Sequence, residues 1–141
     1  MVKPLEILLV EDNEGDVEMV REALQDETSL DNISVANNGN EALDCLYKHG
    51  SFHNTATPQL ILLDLNMPLM DGKMLLKMIK QDELFMSIPV VVLTSSRAPL
   101  DIREAYALHA NCYVIKPFEC NKFKDAIKIV VNFWRNVVVL P

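Results

Sequence analysis

The acidic pair Glu11-Asp12 directly follows an apolar run, Leu5 to Val10, and Asp64 closes a second, Leu60 to Leu63. Thr94-Ser95 closes a third (PVVVLT), and Lys116 closes a fourth (CYVI). Carboxylates, hydroxyls and one ammonium at the ends of apolar stretches are the parts that phosphoryl transfer needs. Three crowded carboxylates repel one another and raise one another's pKa. A Mg²⁺ ion removes that conflict, because it takes oxygen ligands octahedrally and keeps several waters. Asp12 and Asp64 are the expected direct ligands. Glu11 is expected to act through water or to orient Asp12, and the main-chain carbonyl of Asn66 can supply a further oxygen. Asp64 then keeps one oxygen free to attack phosphorus. Lys116, Thr94 and Ser95 would hold the oxygens of the phosphoryl group, in a reaction that depends on positioning and charge stabilisation. Taken singly, each residue has a plainer reading: a helix N-terminal acid, a β-branched strand residue, a strand-end lysine. The joint reading rests on their falling at matching strand ends.

The elements that must position these groups are legible in the hydrophobic pattern. Leu60 to Leu63 has no polar interruption, as expected of a strand buried on both faces in the middle of a parallel sheet. Pro68 and Asp71-Gly72 are turn formers, so Asp64 is placed at the carboxyl end of that strand, facing a loop. Leu5 to Val10 predicts the first strand, and Asn13 with Asp16 three residues on predicts the start of a helix over residues 14–26. Ser29 to Asn32 is expected to be a polar loop, Ile33 to Ala36 a strand near a sheet edge, and Ala42, Leu43, Leu46 and Tyr47 to mark a second helix. Gly50 to Gln59 lacks periodicity and is expected to be a surface loop. Leu75, Leu76, Met78 and Ile79 predict a third helix. Residues 99–109 predict a fourth, with Pro99 near its first turn, and residues 119–138 a fifth. Five strands alternating with five helices predict an α/β fold: a flavodoxin-like, doubly wound, five-stranded parallel sheet in the order 2-1-3-4-5. In that order the strands bearing Glu11-Asp12, Asp64, Thr94-Ser95 and Lys116 are neighbours.

Composition narrows the function classes. The 141 residues suit one domain, with residues 1–141 forming a single unit and no output domain expected. Half of them are hydrophobic, enough for a full core. A formal net charge of −7 argues against nucleic-acid binding, which needs a basic surface. Cys45, Cys112 and Cys120 have neither zinc nor disulfide spacing and read as free thiols. With no apolar run of membrane-spanning length and no signal-like N-terminus, the expectation is a soluble cytoplasmic protein without a membrane partner.

On Glu11-Asp12, Asp64 within LILLDLNMPLMDG, Thr94 within VVVLTSS, and Tyr113 with Lys116-Pro117 within CYVIKPF, the chain resembles the receiver domains of two-component response regulators. The segments LHANCYVIKP and FWRNVVVLP are similar, more narrowly, to single-domain regulators that serve cyanobacterial phytochromes and their relatives. The resemblance implies that Asp64 accepts phosphate from a histidine of a partner kinase, phytochrome-like under the narrower match. It implies that Asp12 with Glu11 holds Mg²⁺, that Lys116 pairs with the phosphate, that Thr94 swings towards it, and that Tyr113 turns inward. It also implies a cis Lys116-Pro117 peptide and a switching surface on the fourth helix, fifth strand and fifth helix. Two departures stand out: Glu11 where the first acid is more often Asp, and His109 where the turn usually has Gly.

Position 66 separates a signalling role from an enzymatic one. A phosphatase working through an aspartyl-phosphate commonly has a second carboxylate two residues after the nucleophile. Asn66 can neither donate nor accept a proton usefully at pH 7. The acyl phosphate is therefore expected to persist, which favours a phosphoacceptor over a metal-dependent phosphatase. A phosphate-sink or scaffold module is the remaining alternative, a degenerate scaffold being disfavoured by the completeness of the constellation. A flavin carrier of the same topology would not place Glu11-Asp12 against phosphate.

In the last helix, Phe123, Ile127, Val130, Val131, Trp134 and Val138 form one apolar stripe, and Ala126, Ile129, Phe133 and Val137 a second. Lys124, Asp125, Lys128, Asn132, Arg135 and Asn136 cover the remainder. So wide an apolar arc exceeds what one sheet face requires and predicts a homodimer through the last helix and the fifth strand.

Overall fold

The continuous apolar runs become strands with essentially no exposed side chain. In the computed structural model, which describes residues 4–25, 31–67 and 69–141, Leu60–Leu63 (β3) is wholly buried at the centre of a five-stranded parallel sheet. β1 (Glu6–Val10) and β4 (Val90–Thr94) flank it. β2 (Asn32–Ala36) and β5 (Cys112–Ile115) form the two edges, giving the predicted order β2-β1-β3-β4-β5. The connecting helices are α1 (Glu14–Gln25), α2 (Gly39–Tyr47), α3 (Gly72–Gln81), α4 (Pro99–Ala107) and α5 (Cys120–Asn132). The expected turn at Pro68, the end of the first helix at residue 26 and the loop at residues 29–30 lie outside the described residues. No helix among the described residues is long and apolar enough to cross a membrane.

Strand alternation sends side chains to two separate cores. Leu8, Val10, Ile61, Leu63, Val90 and Val92 pack under α2, α3 and α4. Ile7, Leu9, Leu60, Leu62, Val91 and Leu93 pack under α1 and α5. Burying each such side chain is worth roughly 1.5–3 kcal/mol, so the two cores fix the sheet's register on both faces. Val10 pairs with Leu63, Leu63 with Val92, and Thr94 with Ile115. The carboxyl ends of the four strands are therefore nearly level.

Helix starts follow the expected capping chemistry. The Asn13 side-chain oxygen accepts from the Asp16 N–H at 2.9 Å, and the Asp71 carboxylate accepts from the Met74 N–H at 2.8 Å. α4 begins at Pro99 as predicted but ends at Ala107. His109 follows with φ 73°, the left-handed conformation that glycine favours. The Ala110 N–H donating to the Ala105 carbonyl at 3.0 Å closes this turn and holds the imidazole residue in that conformation.

Three expectations are corrected. Gly50–Phe52 forms a short 3₁₀ turn inside the expected irregular loop, closed by the His53 N–H to the Gly50 carbonyl at 3.2 Å. The last helix is not regular over residues 119–138. After Asn132 it widens into a π turn, Phe133–Val137, in which the Val138 N–H reaches the Phe133 carbonyl. That extra residue per turn rotates the succeeding side chains about the axis. Arg135, expected on the polar side, is consequently buried, and its guanidinium pairs with Asp31. Lastly, no described peptide bond is cis, so Lys116-Pro117 is trans, the isomer that X–Pro bonds favour by about 0.5–1 kcal/mol.

Candidate phosphoacceptor site

Because parallel partners point to the same face, Glu11 and Asp64, each one residue past a paired strand end, emerge together on the α1/α5 side of the sheet. Both are almost fully buried, at 2% and 7% exposure, whereas Asp12 is exposed. Oxygens of Glu11, Asp12 and Asp64 lie within 4.8 Å of one another. Such a set of hard carboxylate oxygens, one open to solvent, fits a divalent cation. The Asp64 carboxylate also accepts from the Asn66 N–H at 3.3 Å. That contact keeps Asn66 beside the acid while its own side chain stays exposed.

Lys116 rises on the same face from β5. Its position is set by its N–H donating to the Thr94 carbonyl at 2.8 Å, so a trans peptide to Pro117 does not dislodge it. Its Nζ lies 2.5 Å from Glu11 Oε1, 2.8 Å from Asp16 Oδ2 and 3.4 Å from Asp64 Oδ2. Burial alone would lower the pKa of this ammonium, but its hydrogen bonds to Asp16 and Glu11 and the charges of Glu11 and Asp64 outweigh it and raise it. Burial pushes the Glu11 carboxyl up to about 7, and Asp64 adds to the rise against the opposing pull of Lys116. Glu11 also makes contacts that the sequence did not foresee. It bonds Lys116 through one oxygen and accepts from the Asn13 N–H at 3.2 Å through the other.

Asp16 is the site residue that the sequence pattern did not single out, since it served there only as a helix-start signal. The clue was its spacing: it lies one turn past Asp12 on the helix that follows β1. It therefore faces the rim where strand one ends.

Thr94 belongs to the other face. It is fully buried, and with Tyr113 and Val92 it lies on the α3/α4 side of β4 and β5. Tyr113 donates its hydroxyl to the Ser96 carbonyl at 3.0 Å. The Ser96 hydroxyl donates to Asp101 at 2.5 Å, and Asp101 accepts from Lys73 at 2.6 Å. The β4–α4 loop is thus tied to β5, α4 and α3 together. Ser95 is exposed at the head of this loop.

Gly72 explains how α3 approaches so closely. A Cβ there would lie 2.4 Å from the Asp64 carbonyl oxygen and 2.5 Å from the Leu65 Cα. Only a residue without a side chain lets the helix begin against the backbone of the acidic strand end.

The chain matches the response regulator receiver domain family over residues 7–128. It is 38% identical to the response regulator Rcp1 of Synechocystis over 138 residues, 98% of this chain and 94% of that protein. It is 37% identical to the probable methanogenesis regulatory protein FilR2 of Methanothrix harundinacea, over 93% of this chain and 84% of that protein. Among solved structures, the phosphorylated cyanobacterial phytochrome response regulator RcpA superposes with a TM-score of 0.94 at 38% identity, covering 98% of this chain and 99% of that one. The Mn²⁺-bound form of Rcp1 gives 0.91 with the same identity and coverage. The chain belongs to the response regulator receiver family.

Proposed function

We propose that this receiver accepts a phosphoryl group on Asp64 from a phosphohistidine of a partner kinase and signals through the resulting change in its own surface. The arrangement that carries the reading is one nucleophilic carboxylate, Asp64, with two acids and an ammonium around it at the ends of neighbouring strands. An Asp64 oxygen attacks phosphorus in line. The P–O bond forms as the P–N bond to the kinase imidazole breaks, and the imidazole leaves with the electron pair. Asp12 and Asp64, the main-chain carbonyl of Asn66, and Glu11 directly or through water would hold Mg²⁺. The ion would neutralise the crowded acids and the charge on the phosphoryl oxygens. A relative's structure with bound Mn²⁺ supports a divalent site.

Lys116 pairs with one phosphoryl oxygen, and the hydroxyls of Thr94 and Ser95 donate to another. Drawing Thr94 towards the site empties space on the α3/α4 face, and the Tyr113 ring turns into it. Phosphate thereby favours one of two nearby states through contacts only that state makes. Asn66 supplies no general acid or base, so the protein is a phosphoacceptor rather than a phosphatase acting on other substrates.

The protein is read as cytoplasmic, and its kinase as phytochrome-linked by analogy with the relatives. The protein is read as a homodimer through α5 and β5, with phosphorylation favouring the association. Ile129, Phe133 and Val137 are 71%, 46% and 66% exposed along one line of α5 and its π turn, while Phe123, Ile127 and Val131 fill the core. The sheet edge at β5 lies alongside. The test is incubation with acetyl phosphate and Mg²⁺, then intact-mass measurement and sedimentation. The expected result is one phosphoryl adduct, absent in Asp64→Asn, with a shift to dimer. A wild type that takes no adduct overturns the reading.

A further inference from the structure

The Lys116 ammonium has three N–H groups, and three carboxylates surround it: Glu11, Asp16 and Asp64. Glu11 and Asp64 also belong to the oxygen cluster that suits a cation, and Asp16 does not. A divalent ion placed among Glu11, Asp12 and Asp64 repels an ammonium that shares two of those groups. The cost of loading the site is set by where the ammonium can go. Asp16 offers it a part-buried anionic partner outside the cluster, already in contact at 2.8 Å. The backbone that carries the Asp16 carboxylate is held, because the N–H of its own residue donates to the Asn13 cap and α1 packs on the same face of the sheet.

We infer that Asp16 is a positioning residue for metal loading: it draws Lys116 off Glu11 and Asp64 and so raises the affinity of the acidic cluster for a divalent cation. This rests on the phosphoacceptor reading above, and it adds to that reading a group which touches neither metal nor phosphate. Asp16 sits in the first turn of α1, where an acid also favours the helix dipole. That role alone would leave Lys116 and cation affinity untouched.

Mn²⁺ titration monitored by electron paramagnetic resonance, on the full chain without phosphate, separates the possibilities. Asp16→Asn keeps the helix cap and all three cluster carboxylates. It is expected to weaken Mn²⁺ binding about tenfold, the loss typical when a group outside the ligand set is removed. Asp16→Glu restores most of the affinity. In a Lys116→Met background the same Asp16→Asn change alters affinity by less than about twofold, since the effect runs through the lysine. An equal loss in both backgrounds means that Asp16 acts only as a nearby negative charge and overturns the inference, as does unchanged affinity in Asp16→Asn alone. A wild type that binds Mn²⁺ and takes the phosphoryl group while these variants behave as wild type sinks only this inference. A wild type that does neither sinks the function proposed above.

Discussion

Gly72 rests on the backbone of Asp64 so closely that a single added methyl would lie 2.4 Å from the Asp64 carbonyl oxygen. The start of α3 and the strand end that carries the proposed phosphoacceptor are thus one packed unit. The Gly72 N–H reinforces the contact by donating to the Leu65 carbonyl at 3.0 Å.

Gly72→Ala must therefore push the acid and the helix apart. The expected loss is about 1–3 kcal/mol of stability, as for an overpacked core. Labelling by acetyl phosphate is expected to slow even where the variant is fully folded. Urea denaturation alongside a labelling time course checks both. An alanine variant with wild-type midpoint and wild-type rate would contradict the contact.

Asn66 stands two residues beyond the proposed acceptor, Asp64, with its side chain exposed. Asn66→Asp supplies the missing general base for attack by water on the acyl phosphate. Loss of the label is expected to accelerate by about tenfold or more, the lower end of what general acid–base groups contribute being about a hundredfold when fully aligned. The half-life after removal of the phosphodonor measures it, and an unchanged half-life refutes the role given to the amide.

Asp101 ties the β4–α4 loop through Ser96 to Lys73. The Lys73 ammonium, then the Ser96 hydroxyl, holds its carboxyl below the usual carboxylate range. A depressed folded-state value means stabilisation that is complete above the unfolded value of about 4 and is lost as pH falls through the folded one. Asp101→Asn is expected to cost about 1 kcal/mol at pH 7, since the pair is partly exposed. The gap to wild type should close under more acidic conditions. Urea midpoints across the acidic range measure this. The same variant loosens the loop whose Ser96 carbonyl holds the Tyr113 hydroxyl, so the Tyr113 ring resonances should broaden or shift before any phosphate is added.

Arg135 and Asp31 form an almost fully buried ion pair joining the π turn after α5 to the residue that precedes β2. Asp31 also accepts from the Leu5 N–H at 2.8 Å, while the Arg135 Nε has no partner among the described residues. Arg135→Met strands a buried carboxylate and is expected to cost about 3 kcal/mol or more. Replacing both members, Asp31→Leu with Arg135→Met, should recover part of that loss. Thermal or urea unfolding of the single and double variants decides it, and a double variant worse than the sum of the singles would argue against the pair's cost being desolvation.

Much of this molecule was readable from residue order. Uninterrupted runs such as Leu60 to Leu63, too short for helices and bounded by turn formers, read as strands covered on both sides, and alternating them with amphipathic helices of ordinary length points to a parallel sheet. Since parallel strands end on the same rim, Glu11-Asp12, Asp64 and Lys116 could be brought together from spacing alone. Asn13 marked a helix start because capping is a local bond between residues three apart, whereas Asp71, read from the sequence only as a turn former, proved to cap α3.

Three-dimensional packing settled the rest. Which face each rim residue takes depends on sheet register, and that put Thr94 and Tyr113 opposite Asp64 and Lys116. Asp16 meets Lys116 across a hundred residues of chain because α1 and the end of β5 share one face. A π turn after Asn132 rotated Arg135 inward to Asp31. Spacing along the chain reports periodicity within an element. The rotation of one element against another is set by contacts made only once the whole core has closed.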